Sequence, residues 1–333
     1  MTIIVFYDYQ VHSYIKKSYN VGTYKEKGRN FVQQESLNLL EFMKRFQTEE
    51  ECRKFLFKLR WPEGFICHKC AHTDYSEIKT RHLYRCNKCG YQASITSNTI
   101  FHGSHTPLTK WFVAIFMMAD DKRGISAAKL ARNINVSYPT AWLVLHKIRK
   151  AMADRDSCYV LSKIVEIDDA YFGAPEEGGK RGRGTNKTPG VIAVQVDEKG
   201  RPLYVKLSVV DDLQNKTLLK TARNMIEPGS EVRTDGFKSY NKLSKHQYNV
   251  RSKKFDPKNS PDHLLWLHKT VSNLKALITG TFHGLDKKHL QHYFDEFAYR
   301  FNRRQFQGQL FSRLLKACTL TTTITYGELI SKV

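Results

Sequence analysis

Three acidic residues, Glu166, Asp168 and Asp169, fall within the short stretch VEIDDAYFGAP at residues 165–175. The apolar and aromatic residues around them are typical of a buried strand, where a carboxylate is costly unless a positive charge offsets it. Side chains alternate between the two faces of a strand, so Glu166 and Asp168 share one face and Asp169 lies on the other. We therefore expect Asp168 to bind a metal ion, with Glu166 as second choice. The alternative is that these acids only pair with nearby basic residues.

A second carboxylate, Asp235, ends the predicted strand EVRTD about 70 residues after Asp168. Hydrophobic periodicity and turn residues predict three consecutive strands before it and alternating helices and strands after them. The predicted elements are strands 163–172, 190–198 and 201–211, helix 215–226, strand 231–235, helix 238–243, strand 248–253 and helix 263–278. This order is that of a ribonuclease H-like fold, an α/β fold in which a mixed sheet carries helices on both faces.

The first and fourth strands of a ribonuclease H-like sheet lie side by side, so Asp168 and Asp235 are expected to meet over one site. Carboxylate oxygens suit hard divalent cations such as Mg²⁺ or Mn²⁺. Two such ions stabilise both the attacking and the leaving oxygen of an in-line phosphoryl displacement. The acids therefore predict metal-dependent phosphoryl transfer.

Four of the seven cysteines form two CxxC pairs, Cys67 with Cys70 and Cys86 with Cys89, and fifteen residues separate the pairs. A tetrahedral zinc ion needs four ligands that converge from two tight turns, and each CxxC supplies one such turn. Short alternating segments flank both pairs and favour β-hairpins. The spacing predicts a zinc ribbon with a structural Zn²⁺, and a redox role is disfavoured because neither pair opens a helix after a strand.

Residues 125–152 have the pattern of two helices joined by a short turn at 135–137. Ser126 can cap the first helix, and the second is predicted from Tyr138 to Met152. This resembles a helix-turn-helix, whose second helix enters the major groove of DNA. Any helical hairpin with basic residues gives a similar pattern, but its place after a zinc ribbon favours DNA binding. The positions predicted to be exposed on the second helix are Thr140, His146, Lys147, Arg149 and Lys150.

The chain has 54 Lys and Arg residues against 32 Asp and Glu, a formal net charge of +22. Such an excess indicates a polyanionic partner, and the alternative is a basic surface that is merely solvated. No run of 18 apolar residues occurs, so a membrane span is not expected, and the first residues lack the features of a signal peptide. We expect a soluble cytoplasmic protein, because the cysteine pattern suits metal binding in a reducing compartment.

The ordered motifs CxxC…CxxC, helix-turn-helix, VEIDDAY, TDGFKSY, HKTVSNLK, GTFHG and DEFAYRFNRR resemble insertion-sequence transposases of the ISXO type, which are related to Merlin elements. The resemblance runs from about Leu37 to about Phe306. It implies that Asp168 and Asp235 are catalytic metal ligands, and that the third ligand is Asn273 in the helix after the histidine motif.

Asn273 departs from the Asp-Asp-Glu pattern of most transposases, although some members of the family carry Asn there. An amide oxygen is a weaker metal ligand than a carboxylate. Glu296 is the rival third acid, beyond the expected helix. His268 is a candidate for orienting substrate or metal-bound water, or else a packing residue. Lys275 is expected to contact a phosphate.

A glycine-rich basic loop, GGKRGRGTNK at residues 178–187, joins the first two strands of the catalytic domain. Such a loop can follow a phosphate backbone without reading sequence, or it is a solvated hairpin tip. A basic C-terminal motif, YRFNRR, offers similar contacts. The residues predicted to contact DNA are Lys180, Arg181, Arg183, Lys187, Lys275, Arg300, Arg303, Arg304, Lys147 and Lys150.

The sequence thus predicts a bacterial DNA transposase that binds element ends and target as double-stranded DNA, works as a homo-oligomer near the nucleoid, and has no membrane partner. The alternative is a non-catalytic, transposase-derived DNA-binding regulator, which the Asn273 position keeps open. The predicted segments are a poorly ordered extension (1–36), a short helical segment (37–62), the zinc ribbon (63–105), the helix-turn-helix (106–155), the catalytic domain (160–306) and a C-terminal tail (307–333).

Overall fold

The described residues form two compact units, and each is assembled from segments that are distant in sequence. The computed structural model describes residues 37–173, 185–254, 263–282, 285–306 and 308–331. The first unit takes in residues up to Asp120, Ala131–Cys158 and Phe306–Leu329, and the second takes in Asp121–Leu130, Tyr159–Gln305 and the last few residues. No helix in these described ranges is both long and apolar enough to cross a bilayer.

The first unit contains helices and a small three-stranded antiparallel sheet of order β1-β2-β3. Its helices and strands are α1 (Leu39–Arg45), α2 (Glu49–Arg60), β1 (Tyr75–Ile78), β2 (Leu83–Cys86), β3 (Gln92–Ser94), α3 (Leu108–Asp120), α4 (Ala127–Ile134, shared with the second unit), α5 (Tyr138–Asp156), α10 (Leu310–Leu320) and α11 (Tyr326–Ser331). Asn38 and Thr48 start α1 and α2 with capping boxes, in which a glutamate three residues on returns the hydrogen bond.

Aromatic rings form the core of the first unit. Phe42 of α1 stacks on Phe116 of α3 with ring centroids 4.4 Å apart. Phe311 of α10 meets the Phe42 ring edge-on at 5.2 Å. The segment predicted as a C-terminal tail therefore contributes α10 to a core that begins some 270 residues earlier in the sequence.

The second unit is built on a five-stranded mixed sheet of order β6-β5-β4-β7-β8. Its helices and strands are β4 (Ile164–Phe172), β5 (Thr188–Val196), β6 (Pro202–Val209), α6 (Asn215–Met225), β7 (Glu231–Thr234), α7 (Lys238–Asn241), β8 (Asn249–Ser252), α8 (Leu265–Thr281) and α9 (Leu290–Asn302). The first three strands pair antiparallel, whereas β7 pairs parallel with β4 and β8 parallel with β7. The ribonuclease H-like prediction is confirmed by this strand order.

Each face of the sheet is covered by helices, because β4 and β5 alternate their apolar side chains between two cores. Val165 and Ile167 pack with Leu218 of α6 on one face. Ala170 and Phe172 pack on the other face with residues of α8 and α9. Glu166 and Asp168 therefore point to the face covered by α8 and α9, as the strand alternation predicted.

One edge of the sheet, β6, is closed by side chains of α9 and of the residues after it. Asn302 accepts a hydrogen bond from the Val205 N–H (2.7 Å) and donates one to the Val205 carbonyl oxygen (3.0 Å). Gln291 does the same for the next part of the strand, accepting from Val209 N (2.8 Å) and donating to Leu207 O (3.2 Å). These amides occupy backbone groups that an edge strand otherwise offers to another chain.

Candidate active site and cysteine cluster

The four cysteines of the CxxC pairs converge at one point in the first unit. Sγ atoms of Cys67 and Cys89 lie 3.6 Å apart, as do those of Cys70 and Cys86. All four Sγ atoms lie within 4.8 Å of one another. Tetrahedral zinc with Zn–S bonds of about 2.3 Å requires sulfur–sulfur separations of about 3.8 Å, so the cluster fits the ion.

Matching turns bring these cysteines together. Ala71 N donates to Cys67 O at 2.9 Å, and Gly90 N donates to Cys86 O at 3.0 Å. Both turns place the residue after the second cysteine at positive φ, 57° for Ala71 and 70° for Gly90. Each CxxC thus folds into the same tight loop, which turns both thiols inward.

Asp168 and Asp235 occupy level positions on neighbouring parallel strands. The register pairs Val165 with Val232 and Glu166 with Arg233. Two residues further along, this register places Asp168 level with Asp235, which directly follows β7. Adjacent strands are about 4.8 Å apart, so this register places the two partly buried residues at neighbouring positions on one face of the sheet.

Backbone contacts hold each of the two carboxylates. Asp168 Oδ1 accepts from the Asp169 N–H at 2.8 Å. Asp235 Oδ1 accepts from the Phe237 N–H at 3.1 Å. Gly236, between Asp235 and Phe237, has a φ of 91°, so the chain turns directly after Asp235.

Helix α8 lies along β4 on the face that carries Asp168. Near its start, Leu267 N donates to Glu166 Oε2 at 3.1 Å. Further along, Lys275 Nζ lies 5.8 Å from the centre of the Phe172 ring at the end of β4. Helix and strand therefore run in the same direction, with Asp168 between these two contacts.

Two histidines flank the end of β7. The Nε2 atom of His263 lies 3.1 Å from the carbonyl oxygen of Thr234. Burial and the neighbouring His263 lower the pKa of His268, and the negative charge of Asp235 opposes that shift. His268 and Asp235 thus interact electrostatically.

Asn273, predicted as the third ligand, is exposed, as are His268 and Lys275, but it lies on another side of α8. At 100° per residue it lies about 140° around the helix from His268, whereas Lys275 returns to within about 20° of His268. The structure therefore brings His268 and Lys275 to one side of the helix and leaves Asn273 off it. The spacing of seven residues between them, two helical turns, is the sequence signal that could have found this pair.

Glu296, the rival third acid, is fully buried in a different place. Its Oε1 atom lies 2.6 Å from Arg300 Nη2, and Arg300 also donates to the carbonyl oxygen of Asp121. Arg303 is buried as well, with its guanidinium 3.7 Å from the centre of the Tyr299 ring. The exposed Arg304 donates to Leu203 O at 2.9 Å. All three arginines are thus engaged within the second unit.

The basic side chains of α5 are mostly buried. The expectation that His146, Lys147 and Arg149 are exposed is wrong, since they are 0%, 7% and 1% exposed. Lys150 is partly buried and pairs with Asp154 at 2.6 Å. Apolar residues on every side of the middle of α5 pack into the core, whereas its first turn, from Tyr138, is open to a ligand.

Most of the basic loop, including Lys180, Arg181 and Arg183, lies outside the described residues. Lys187, which is described, is partly buried directly before β5. These four residues stay predicted DNA contacts.

Comparison with known proteins matches residues 160–302 to the ISXO2-like transposase domain and residues 47–92 to the transposase zinc-ribbon domain. A protein of Halobacterium salinarum, described as an uncharacterized protein in transposable element ISH50, is 26% identical over 220 residues, which cover 60% of this chain and 72% of the relative.

Solved structures of low similarity overlap parts of the chain. The Mos1 mariner paired-end complex with Mn is 15% identical over 58% of this chain and 73% of that chain, with a TM-score of 0.24. A simian T-cell lymphotropic virus intasome in complex with the PP2A regulatory subunit B56 gamma is 12% identical over 56% and 66%, with a TM-score of 0.26. The two matched domains both belong to this group of transposases and follow the expected order, so the predicted resemblance to ISXO-type insertion-sequence transposases is confirmed.

Proposed function

We propose that this transposase binds the ends of its insertion sequence and catalyses metal-dependent cleavage and transfer of DNA strands. The observation that supports it most is the level placement of Asp168 and Asp235 on adjacent parallel strands. Two carboxylates at one site repel each other, and this repulsion is relieved when cations bind between them.

Asp168 and Asp235 would hold the catalytic divalent ions, Mg²⁺ or Mn²⁺. We assign the third position to His268 rather than Asn273, because His268 shares the side of α8 that is near Asp235. Bound divalent ions would supply positive charge for the oxygens that gain negative charge during phosphoryl transfer. Imidazole is a better ligand for Mn²⁺ than for Mg²⁺, so a site completed by His268 would favour Mn²⁺.

The reaction has two displacements at phosphorus. In the first, the oxygen of water loses a proton and bonds to phosphorus, the P–O3′ bond breaks, and the leaving oxygen takes up a proton to become a 3′-hydroxyl. In the second, this hydroxyl loses its proton and attacks a phosphodiester of target DNA, and the displaced target 3′-oxygen takes up a proton to become a hydroxyl. Lys275, on the same side of α8 as His268, would contact a phosphate of the strand being cut.

DNA recognition would fall to the zinc ribbon and the first turn of α5. Ser137 caps that turn, and Tyr138 is 57% exposed directly after it. The excess of basic side chains, a net charge of +22, would attract the phosphates of the DNA backbone. Transfer needs two element ends in one complex, and we therefore propose a homo-oligomer on DNA.

A nicking assay on element-end DNA with and without Mg²⁺ or Mn²⁺ tests the proposal. We expect metal-dependent cleavage that Asp168→Asn abolishes while binding of the same DNA is kept. Binding without cleavage by the unaltered protein would favour the regulator function instead.

A further inference from the structure

Glu166 is the acid closest in sequence to Asp168 on the same face of β4, yet its contact in the structure is with a helix. Its side chain is 6% exposed. The Oε2 atom accepts a hydrogen bond from the N–H of Leu267, which lies 101 residues later in the first turn of α8.

The start of α8 lacks the usual local cap. Leu264, which precedes the helix, adopts a left-handed conformation (φ 54°, ψ 32°) and its side chain makes no capping hydrogen bond. The first N–H groups of a helix have no partner within the helix and attract negative charge. Glu166 supplies an acceptor for one of them from the neighbouring strand.

The bond joins the two elements that carry the proposed site. Asp168 lies two residues after Glu166 in β4, and His268 directly follows Leu267 in α8. A hydrogen bond at Leu267 N constrains both the rotation of the first turn of α8 and its position along the strand. The same hydrogen bond therefore constrains the position of His268 relative to the end of β7.

We infer that Glu166 is a positioning residue: its carboxylate anchors the first turn of α8 to β4 and so sets the position of His268 relative to Asp168 and Asp235. The effect on cleavage rests on the proposed function, whereas the anchoring does not. The rival role for Glu166 is that of a further metal ligand beside Asp168.

A matched pair of substitutions separates the two roles. Glu166→Gln keeps an oxygen that accepts from Leu267 N, whereas Glu166→Met has a similar volume and no such acceptor. Glu231→Gln, at a partly exposed glutamate on β7 that pairs with Arg233 and Arg251, serves as the control. Hydrogen–deuterium exchange of a peptide covering residues 264–272 reports the anchor directly.

If Glu166 anchors α8, residues 264–272 exchange faster in Glu166→Met than in the unaltered protein. In Glu166→Gln and in the control variant, the same residues exchange at the normal rate. Cleavage in Glu166→Met falls about 100-fold, since small misplacements of catalytic groups have effects of that order, while the Kd for element-end DNA stays unchanged. Glu166→Gln restores cleavage to within a few-fold of normal.

Calorimetric titration with Mn²⁺ gives the opposing outcome. If Glu166→Gln weakens Mn²⁺ binding about tenfold or more and leaves the exchange of residues 264–272 unchanged, Glu166 is a ligand and the inference is overturned. Normal Mn²⁺ affinity and normal exchange in Glu166→Gln support it, even where Glu166→Met fails to fold. If no variant or unaltered protein cleaves DNA, the proposed function fails, but the exchange result still decides the anchoring.

Discussion

Arg300 Nη2 lies 2.6 Å from Glu296 Oε1, one helical turn earlier in α9, and the two side chains are 10% and 0% exposed. Arg300 also donates to the carbonyl oxygen of Asp121, which precedes α4. This buried pair ties α9 to the segment before α4 within the second unit. Each of the two side chains thus has its charge partner inside the second unit.

Loss of one partner of this pair should be strongly destabilising. A buried charge left without its partner costs about 3–5 kcal/mol, so we expect Arg300→Ala to lower the free energy of unfolding by that order. Urea denaturation measures the change. Arg251→Ala is the matched control, because Arg251 pairs with Glu231 while 72% exposed, and a surface pair contributes only about 0–1 kcal/mol. Equal effects of the two substitutions would show that the Glu296–Arg300 pair is not important for stability.

Replacement of either strand carboxylate should stop cleavage without affecting DNA binding. We expect Asp168→Asn and Asp235→Asn each to abolish nicking of element-end DNA and to leave its Kd nearly unchanged. Asp169→Asn is the control and should be much milder, because its side chain leaves β4 on the opposite face. Full cleavage by Asp168→Asn would contradict metal-dependent catalysis at this site.

His268 and Asn273 make opposite predictions on the same helix. We expect His268→Ala to reduce cleavage at least 100-fold, the order expected for loss of a positioned catalytic group, and Asn273→Ala to change it less than about threefold. Single-turnover cleavage rates distinguish the two. A severe defect in Asn273→Ala with normal activity in His268→Ala would restore Asn273 as the third ligand.

The chemistry of the third position should also set metal preference. His268→Glu replaces a nitrogen ligand with oxygen, so we expect the ratio of Mg²⁺-supported to Mn²⁺-supported cleavage to rise. An unchanged ratio would mean that the side chain at 268 does not contact the metal.

Removal of one zinc ligand should remove metal and end binding together. Cys70→Ser leaves three thiolates, and we expect elemental analysis to find much less than one zinc per chain. Cys158→Ser, at an exposed cysteine outside the cluster, is the control and should keep its zinc. Zinc-free protein that still binds element ends normally would exclude a structural role for the cluster in recognition.

The basic loop should bind DNA without reading sequence. Neutralising Lys180, Arg181 and Arg183 together should weaken binding to element-end and unrelated duplexes about equally, and should reduce the slope of log Kd against log salt. Fluorescence anisotropy at several salt concentrations measures both. A change in preference between the two duplexes would show that the loop contacts bases.

Strands and metal-binding cysteines could be predicted because their patterns are local. β4, β5 and β6 begin and end within about two residues of the predicted bounds, since their apolar residues alternate or run continuously between turn residues. The CxxC spacing likewise predicts a tight local turn that brings two thiols together. The face on which Asp168 lies follows from the period of two, which leaves only two choices.

Helix orientation could not be predicted in the same way. The sequence of α8 has apolar residues at several angles, so its pattern does not show whether Asn273 or His268 turns toward β7. The hydrogen bond from Leu267 N to Glu166 constrains this rotation, and it joins residues 101 positions apart. Basic residues of α5, and Arg300 and Arg303, look like DNA contacts from composition alone, because burial depends on packing partners that the pattern does not reveal.

The edge of β6 is covered by side chains that are synthesised long after the strand itself. Asn302 lies 97 residues after Val205, so the strand is synthesised long before its cover. At 5–20 residues per second a ribosome needs about 5–20 s to add roughly 100 residues. During that interval a nascent sheet presents an open edge to neighbouring nascent chains. Slow translation between β6 and α9, or a chain that stops before Gln291, should therefore favour aggregation even though the finished protein has this edge covered.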